Sequence, residues 1–577
     1  MHRHAVPLSL LLVLSPLAAQ TPNVLLVVAD DVGVDSVACY GLGSNPPPTP
    51  TIDALASGGV RFTNAQACPL CSPTRASLLT GRHAFRTGVG TALMANQPGL
   101  AASEVLLPEI LAPAGIATAL IGKWHLGADL GPLTPTAEGF GTFTGALSGT
   151  LPSYYSWPKV ENGTTTTSTT YATTDTVDEA LAFLTATPQP WFVMLSFHAG
   201  HSPYEAPPGA LHTQNLAGLN PNTQPIPFFR AMVQAMDTEL GRLLATLPAA
   251  TIANTNVVFL GDNGTTSAVT VAPFSAARSK GSIYQGGIRV PLIVKGPAVA
   301  GSPRVEPGLV HAVDLFATLA AMQGVDARAA VPAAVTLDTI AQGALLAAPG
   351  QTPPRTFSYS QRFAGSQAMA ASGDTEMVRN AQYELLRFRL ANGLVREEMY
   401  DLLADPWENT DLLLQPLSAA ATAAYRDLWR ELAMLRGYAW SGSYGAGCSG
   451  GGVTPALAVV AGSTPSIGTT FTLRVTGLTA SVTGVVGALG FQDDTWGSQP
   501  LPLDLGFAGV TGCTLWTDVA VTVALTTNLN AATWPIGLPP TSSLVGAPFF
   551  VQTFPLLAAA NPAGVLATGA IEAIIGG

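Results

Sequence analysis

The chain has 577 residues, enough for two to four domains, and its 47% hydrophobic content can bury a large core, so disorder of the whole chain is excluded. Charged residues make up only 11%, well under the roughly 25% usual in globular proteins, so a polar group inside an apolar stretch needs a reason. With a net charge of −11 and no basic run, a phosphate-matching nucleic-acid surface is excluded.

The first segment reads as an export signal. His2, Arg3 and His4 precede an apolar run from Leu8 to Leu17, and Ala18-Ala19 offers small residues for cleavage within Ala18 to Thr21. The run is too short to span a bilayer, and no later apolar run reaches membrane length unbroken. The expectation is an exported protein, periplasmic, secreted or at the cell surface, with no transmembrane segment.

Val24 to Ala29 is a continuous apolar run, the pattern of a strand buried on both faces of a parallel sheet. Similar runs occur at Thr118–Ile121, Trp191–Phe197, Asn256–Leu260 and Val290–Val294. Helix-period segments lie between them. One is capped by Ser103 and carries Val105, Leu106, Ile110 and Leu111; others span Thr176–Leu184 and Pro227–Leu247. Thr164–Thr170 reads as a polar loop. Alternation of strand and helix predicts an α/β domain with a mostly parallel sheet over residues 21–350. Short strand-like pieces from Phe357 and a helix over Thr422–Leu435 predict a smaller α+β subdomain over residues 351–440. Beyond the glycine-rich stretch Gly445–Gly452, Lys is absent and Arg474 is the only Arg. Alternating segments such as Phe471–Val475 and Ala520–Leu525 predict an all-β sandwich over residues 441–577. Residues 1–20 are the expected signal peptide.

The five cysteines are Cys39, Cys68, Cys71, Cys448 and Cys513. The odd number leaves at least one outside a disulfide. Cys68-x-x-Cys71 reads as a redox pair or half a zinc site, but no second pair or H-x-x-x-H supports zinc. Cys68 is either a buried thiol or a partner of Cys39. Cys448 and Cys513 are expected to pair, since export favours disulfides.

In open parallel sheets sites form beyond the carboxyl ends of strands. There stand Asp30 and Asp31, then Lys123 and His125 in Gly122–Gly127, then His198 and His201, then Asp262 and Asn263. Taken singly, each has a plain reading as a cap, a turn or a packed side chain. Taken together, three carboxylates and an amide suit a hard cation, Ca²⁺ or Mg²⁺, because the carboxylates would repel one another without it. Lys123, His125, His201 and Lys280 add positive charge suited to a tetrahedral oxyanion. Cys71-Ser-Pro-Thr-Arg75 predicts a helix start, with Pro73 first in the helix, Ser72 as cap and Cys71 at its positive end.

Cys71-Ser-Pro-Thr-Arg75 with the Leu-Leu-Thr-Gly-Arg82 run resembles the signature of the formylglycine-dependent sulfatases. The likeness extends to Ala29–Gly33, Gly122–Gly127, His201–Tyr204, Gly261–Gly264, Lys280–Val290, Tyr400-Asp-Leu and Asp405-Pro-Trp-Glu408. The resemblance implies an alkaline-phosphatase-like α/β fold and hydrolysis of sulfate esters, releasing sulfate and an alcohol. It implies that a maturation enzyme oxidises Cys71 to formylglycine, whose hydrate is the nucleophile. Asp30, Asp31, Asp262, Asn263 and the modified Cys71 would bind Ca²⁺. Arg75 would hold the formylglycine, Lys123 and Lys280 would clamp sulfate oxygens, His125 would be a base, and His201 the acid for the leaving oxygen, a role Lys280 can share. His198 reads as a wall residue. The substrate is a sulfated small molecule or glycan, and Tyr154, Tyr155 and Trp157 form a candidate platform for a sugar. The competing readings are a phosphoester or phosphonate hydrolase on the same scaffold and a non-catalytic sulfoglycan-binding protein.

Overall fold

The computed structural model describes residues 20–364, 373–528 and 530–577. The expected signal run at Leu8–Leu17 lies outside them. Among the described residues no helix is long and apolar enough to cross a membrane. The chain divides into two compact units. The first comprises residues up to Met377 with Leu386–Glu397 and Trp407–Asn409; the second comprises Val378–Leu385, Glu398–Pro406 and Thr410–Gly577.

The first unit is built on a ten-stranded sheet. Its strands are β1 Asn23–Ala29, β2 Val60–Gln66, β3 Ala117–Lys123, β4 Thr142–Ala146, β5 Trp157–Glu161, β6 Thr164–Ser168, β7 Trp191–Ser196, β8 Thr255–Gly261, β9 Leu292–Lys295 and β10 Arg304–His311. The order is β10-β2-β9-β8-β1-β7-β3-β4-β5-β6. From β8 through β4 the neighbours are parallel. β1 shows why its sequence is unbroken apolar: Val24, Leu26 and Val28 enter the core on one face, and Leu25, Val27 and Ala29 the core on the other. Helices Ala172–Ala186 and Pro225–Thr246 cover the second face, with Val177, Ala180, Met232, Met236, Leu240 and Leu243 inward.

Several local expectations change. Only Leu292–Val294 of the Val290–Val294 run is strand, and as part of β9 it runs antiparallel to both β2 and β8. The threonine-rich stretch is no loop: Thr164–Ser168 is β6, the edge strand, where β-branched side chains stand on an exposed ribbon. Ser103 does not cap the next helix, which runs Leu107–Leu111. The Leu106 N–H donates to Glu109 Oε2 at 2.7 Å, and Pro108 sits in the first turn, where its missing N–H costs nothing.

Strands Ser358–Arg362, Thr375–Arg379, Tyr383–Arg389 and Val395–Asp401 form a separate four-stranded sheet. The second unit holds a two-sheet sandwich of antiparallel strands. Phe471, Leu473, Val475 and Trp534 from one sheet meet Val485, Phe549, Val551 and Ile571 from the other. Helix Ala419–Arg436 belongs to this unit. Ser418 Oγ caps it, and Arg430 pairs with Glu572, a fully buried carboxylate of strand Ala570–Ile574, and with Asp493 at 2.9 Å.

Cys448 and Cys513 form a disulfide, with Cα atoms 5.0 Å apart, and Cys39, Cys68 and Cys71 are free thiols. The bridge closes 65 residues, which by chain entropy contributes about 4 kcal/mol, less any strain. The Cys448→Ala, Cys513→Ala double variant should lower the urea midpoint of the sandwich unit, with a loss of about 2–4 kcal/mol. Reduction of the wild-type chain should reproduce that shift, and an unchanged midpoint in both would remove the bridge from the stability of this unit.

Candidate active site

The parallel strands β8, β1, β7 and β3 are neighbours, so their carboxyl ends lie along one edge of the sheet. Asp30 and Asp31 leave β1, Asp262 and Asn263 leave β8, Ser196 ends β7, and Lys123 ends β3. After β2 the chain turns into helix Cys71–Thr80, whose first residue is Cys71. Leu70 occupies the cap position, so Ser72 is no cap. Its hydroxyl instead donates to the His125 carbonyl at 2.8 Å and accepts the Leu93 N–H at 3.0 Å. The turn after β3 needs that anchor, because His125 sits at φ +59°, a left-handed conformation that costs energy outside glycine.

The side chains converge. Cys71 Sγ donates to Asp30 Oδ1 at 3.4 Å and lies 3.4 Å from Lys280 Nζ. Lys123 is paired with Asp30, and Lys280 with Asp31 at 2.5 Å. Arg75 donates through Nε (3.2 Å) and Nη2 (2.9 Å) to Asp262 Oδ2, and through Nη1 to the Lys123 carbonyl at 2.9 Å and Ser196 Oγ at 2.5 Å. Asn263 Nδ2 donates to Asp31 Oδ1 at 2.8 Å. His201 Nδ1 lies 2.8 Å from its neighbour's carbonyl, leaving Nε2 turned toward Asp31, 3.9 Å from Oδ2.

Burial divides these groups. Asp30, Asp262, Asn263 and Lys123 are fully buried, while the side chains of His201 and Lys280 keep 14% exposure each. The deep part of the site therefore holds the carboxylates, and the open side is framed by one imidazole and one ammonium.

Oxygen and sulfur atoms of Asp30, Asp31, Cys71 and Asp262 all lie within 4.8 Å of one another. Burial disfavours the charged form of Asp30, but Lys123, followed by His201, Lys280 and Arg75, holds it far below the carboxylate range. Asp262 is pushed upward, by burial and then by Asp30. The carboxylates thus repel one another despite their cationic neighbours. Asn263 Oδ1 is buried and has no hydrogen-bond partner among the described residues. An orphaned amide oxygen beside crowded carboxylates fits a hard cation such as Ca²⁺ or Mg²⁺.

Burial, then Asp262, raises the Cys71 thiol, so it stays protonated at neutral pH. Burial likewise pushes Cys68 up to about 12, with its sulfur against Ser77 Oγ. Reactive redox cysteines are low-pKa and accessible, so the C-x-x-C spacing here is not a redox pair. Burial followed by Lys123 keeps His125 well below the usual imidazole range and holds His198 at about 3. Both rings are neutral. His125 Nδ1 has no hydrogen-bond partner among the described residues, whereas His198 Nε2 rests 3.4 Å from the Ser148 carbonyl.

The aromatic platform does not form as expected. Tyr154 and Trp157 are buried: Tyr154 Oη donates to the carbonyls of His198 and His201 at 2.7 and 2.8 Å, and Trp157 Nε1 donates to Thr170 at 3.2 Å. Only Tyr155 of the three is exposed. Sequence reading also missed Ser196, which donates to the Lys123 carbonyl at 2.8 Å while accepting from Arg75. Its one signal is a hydroxyl at the end of an apolar strand. Gly149 was missed too; a Cβ there would lie 2.2 Å from His125 Nε2.

Comparison with known proteins gives concordant matches. Residues 22–325 match the Sulfatase family model. The chain is 32% identical to N-acetylgalactosamine-6-sulfatase of Sus scrofa over 54% of this chain and 63% of that protein. It thus spans less than two thirds of that relative's length. It is 29% identical to Arylsulfatase A of Homo sapiens over 70% of this chain and 87% of that protein. The crystal structure of Ps i-CgsB in complex with k-i-k-neocarrahexaose superposes with a TM-score of 0.61 at 27% identity, covering 72% of this chain and 92% of that one.

Proposed function

The chain belongs to the sulfatase family, and from that premise we propose that it hydrolyses sulfate esters, with a sulfated carbohydrate as substrate. The observation that carries this is the cluster of Asp30, Asp31, Asp262 and Cys71 ringed by Lys123, Lys280 and Arg75 at one sheet edge. Three carboxylates face three cationic side chains, so an added divalent cation leaves a positive surplus that an anionic ester offsets in part. The relatives' names point to sugars: one is an N-acetylgalactosamine-6-sulfatase, and one neighbour was crystallised with a neocarrahexaose.

In this reading a maturation enzyme oxidises Cys71 to formylglycine, and its hydrate supplies the nucleophilic oxygen. Asp30, Asp31, Asp262, Asn263 and the modified Cys71 would hold Ca²⁺, which would supply positive charge to polarise the ester. The protein's own residues do the rest. Arg75, fixed by Asp262, Ser196 and the Lys123 carbonyl, orients the first turn of the nucleophile helix. Lys123 from below and Lys280 from the open side grip the oxyanion. His125, neutral and with a free Nδ1, accepts a proton during turnover. The leaving alcohol departs toward solvent, so its acid must sit on the open side, and His201 and Lys280 are placed there. His198 is a wall. The second unit contributes none of these residues and is proposed as an accessory module of an exported protein.

The test compares kcat/KM for 4-nitrophenyl sulfate, 4-nitrophenyl phosphate and a panel of sulfated mono- and oligosaccharides. Preference for sulfate esters over phosphate, and for a sulfated sugar over the aryl ester, is the expected result. Faster phosphate hydrolysis would instead assign a phosphoester hydrolase, and no turnover of any ester would favour a glycan-binding role.

A further inference from the structure

Lys280 stands between the nucleophile and Asp31 on a loop without regular structure, so something must hold that loop. The segment Asp405-Pro-Trp-Glu408 is far from Lys280 in sequence and has no role in the mechanism above. Trp407 and Glu408 nevertheless belong to the same compact unit as the site. Trp407 packs edge-on against Phe274, with centroids 5.4 Å apart. Glu408 is buried and adopts φ +58°, a left-handed conformation uncommon for a side chain of its size.

Glu408 grips the Lys280 loop at both ends. Its carbonyl accepts from the Arg278 guanidinium, two positions before Lys280. Its carboxylate Oε2 accepts the Gln285 N–H at 3.0 Å, five positions after. Arg278 also lies over the Tyr284 ring, 4.4 Å from its centroid, which closes the loop on itself. Between these anchors the loop touches both halves of the site. The Lys280 N–H donates to Thr265, two residues past Asn263, at 3.0 Å, and the Gly281 N–H donates to Pro69, two residues before Cys71, at 2.8 Å. The turn opened by Gln285 continues this: the Ile288 carbonyl accepts from Ala67 at 2.8 Å, and the Gly287 carbonyl from Gly264 at 2.9 Å.

We propose that Glu408 is a positioning residue for Lys280: it fixes the Arg278–Gln285 loop so that the ammonium stays over Cys71 and Asp31. The inference rests on the assignment of Lys280 to oxyanion binding. Small displacements of a positioned group cost up to about 10²-fold in rate.

The experiment uses the full-length, matured, Ca²⁺-loaded chain and reads two quantities: kcat and KM on 4-nitrophenyl sulfate, and binding of inorganic sulfate by calorimetry. Glu408→Gln keeps an acceptor for the Gln285 N–H and should stay within about threefold of wild type. Glu408→Ala should lose about 10- to 100-fold in kcat/KM and bind sulfate more weakly. Gln285→Pro removes the donated N–H without touching Glu408. Proline is tolerated at that first helical position, and Tyr284 before it already has φ −73°, ψ 162°. It should reproduce the Glu408→Ala loss, and it serves as the test if Glu408→Ala does not fold. In a Lys280→Ala background both substitutions should cost less than about threefold, because the group they position is gone. Equal losses with and without Lys280, or a wild-type Gln285→Pro protein, would overturn the proposal. If the wild-type chain turned over no sulfate ester, the functional reading would fail, and weaker sulfate binding in the Glu408→Ala and Gln285→Pro chains would still report on the positioning role.

Discussion

Cys71→Ala should leave a folded, Ca²⁺-binding chain with turnover reduced on the order of 10⁴-fold or more, the scale seen when an enzyme nucleophile is removed. Cys71 is 1% exposed at the first position of its helix, with its sulfur between Asp30 and Lys280. Truncation deletes a single heavy atom, so the cavity cost is about 1 kcal/mol and the fold should survive. The four oxygen-bearing residues of the cation site remain. Burial and then Asp262 raise the unmodified thiol, which makes it a poor substitute for the hydrate. Mass spectrometry of the peptide spanning Cys71 from active protein should show the aldehyde or its hydrate. A plain thiol in fully active protein would remove formylglycine from the mechanism.

Asp262→Ala should weaken Ca²⁺ binding and lower kcat/KM by on the order of 10²-fold or more, as for loss of a major electrostatic contact. Asp262 is fully buried and is the carboxylate that receives Arg75 through two nitrogens of the guanidinium. Its removal strands a buried guanidinium, which costs about 3–5 kcal/mol, so part of the effect would be on folding. Asp262→Asn separates the two. The amide keeps the size and one acceptor for Arg75 but loses the charge, so stability should largely return while Ca²⁺ affinity and turnover stay low. Calorimetric titration with Ca²⁺ and urea unfolding, run on both variants, check this division. If chelation leaves turnover untouched in protein verified to be free of metal, the cation assignment is wrong.

The sequence by itself determined the frame of the candidate site. A parallel strand buried on both faces must be apolar along its length, so Val24–Ala29 and its counterparts stand out, and the polar residues after them mark the edge where a site forms. That is why Asp30, Asp31, Lys123, His125, His201, Asp262 and Asn263 were legible as one group. Tertiary structure decided what local pattern cannot carry. β2 alternates, and β10 contains Pro307 and Gly308 with an irregular register, so neither shows an apolar run, and the reversed direction of β9 depends on partners distant in sequence. Tyr154 and Trp157 looked like a sugar platform because aromatic residues suit a ligand or a core equally well; only packing put Tyr154 on the carbonyls of His198 and His201. The Arg75–Asp262 pair spans 187 positions and the Glu408–Gln285 bond 123. Such contacts form between chain segments with no local periodicity linking them, and they appear only when the strands that carry them are laid side by side.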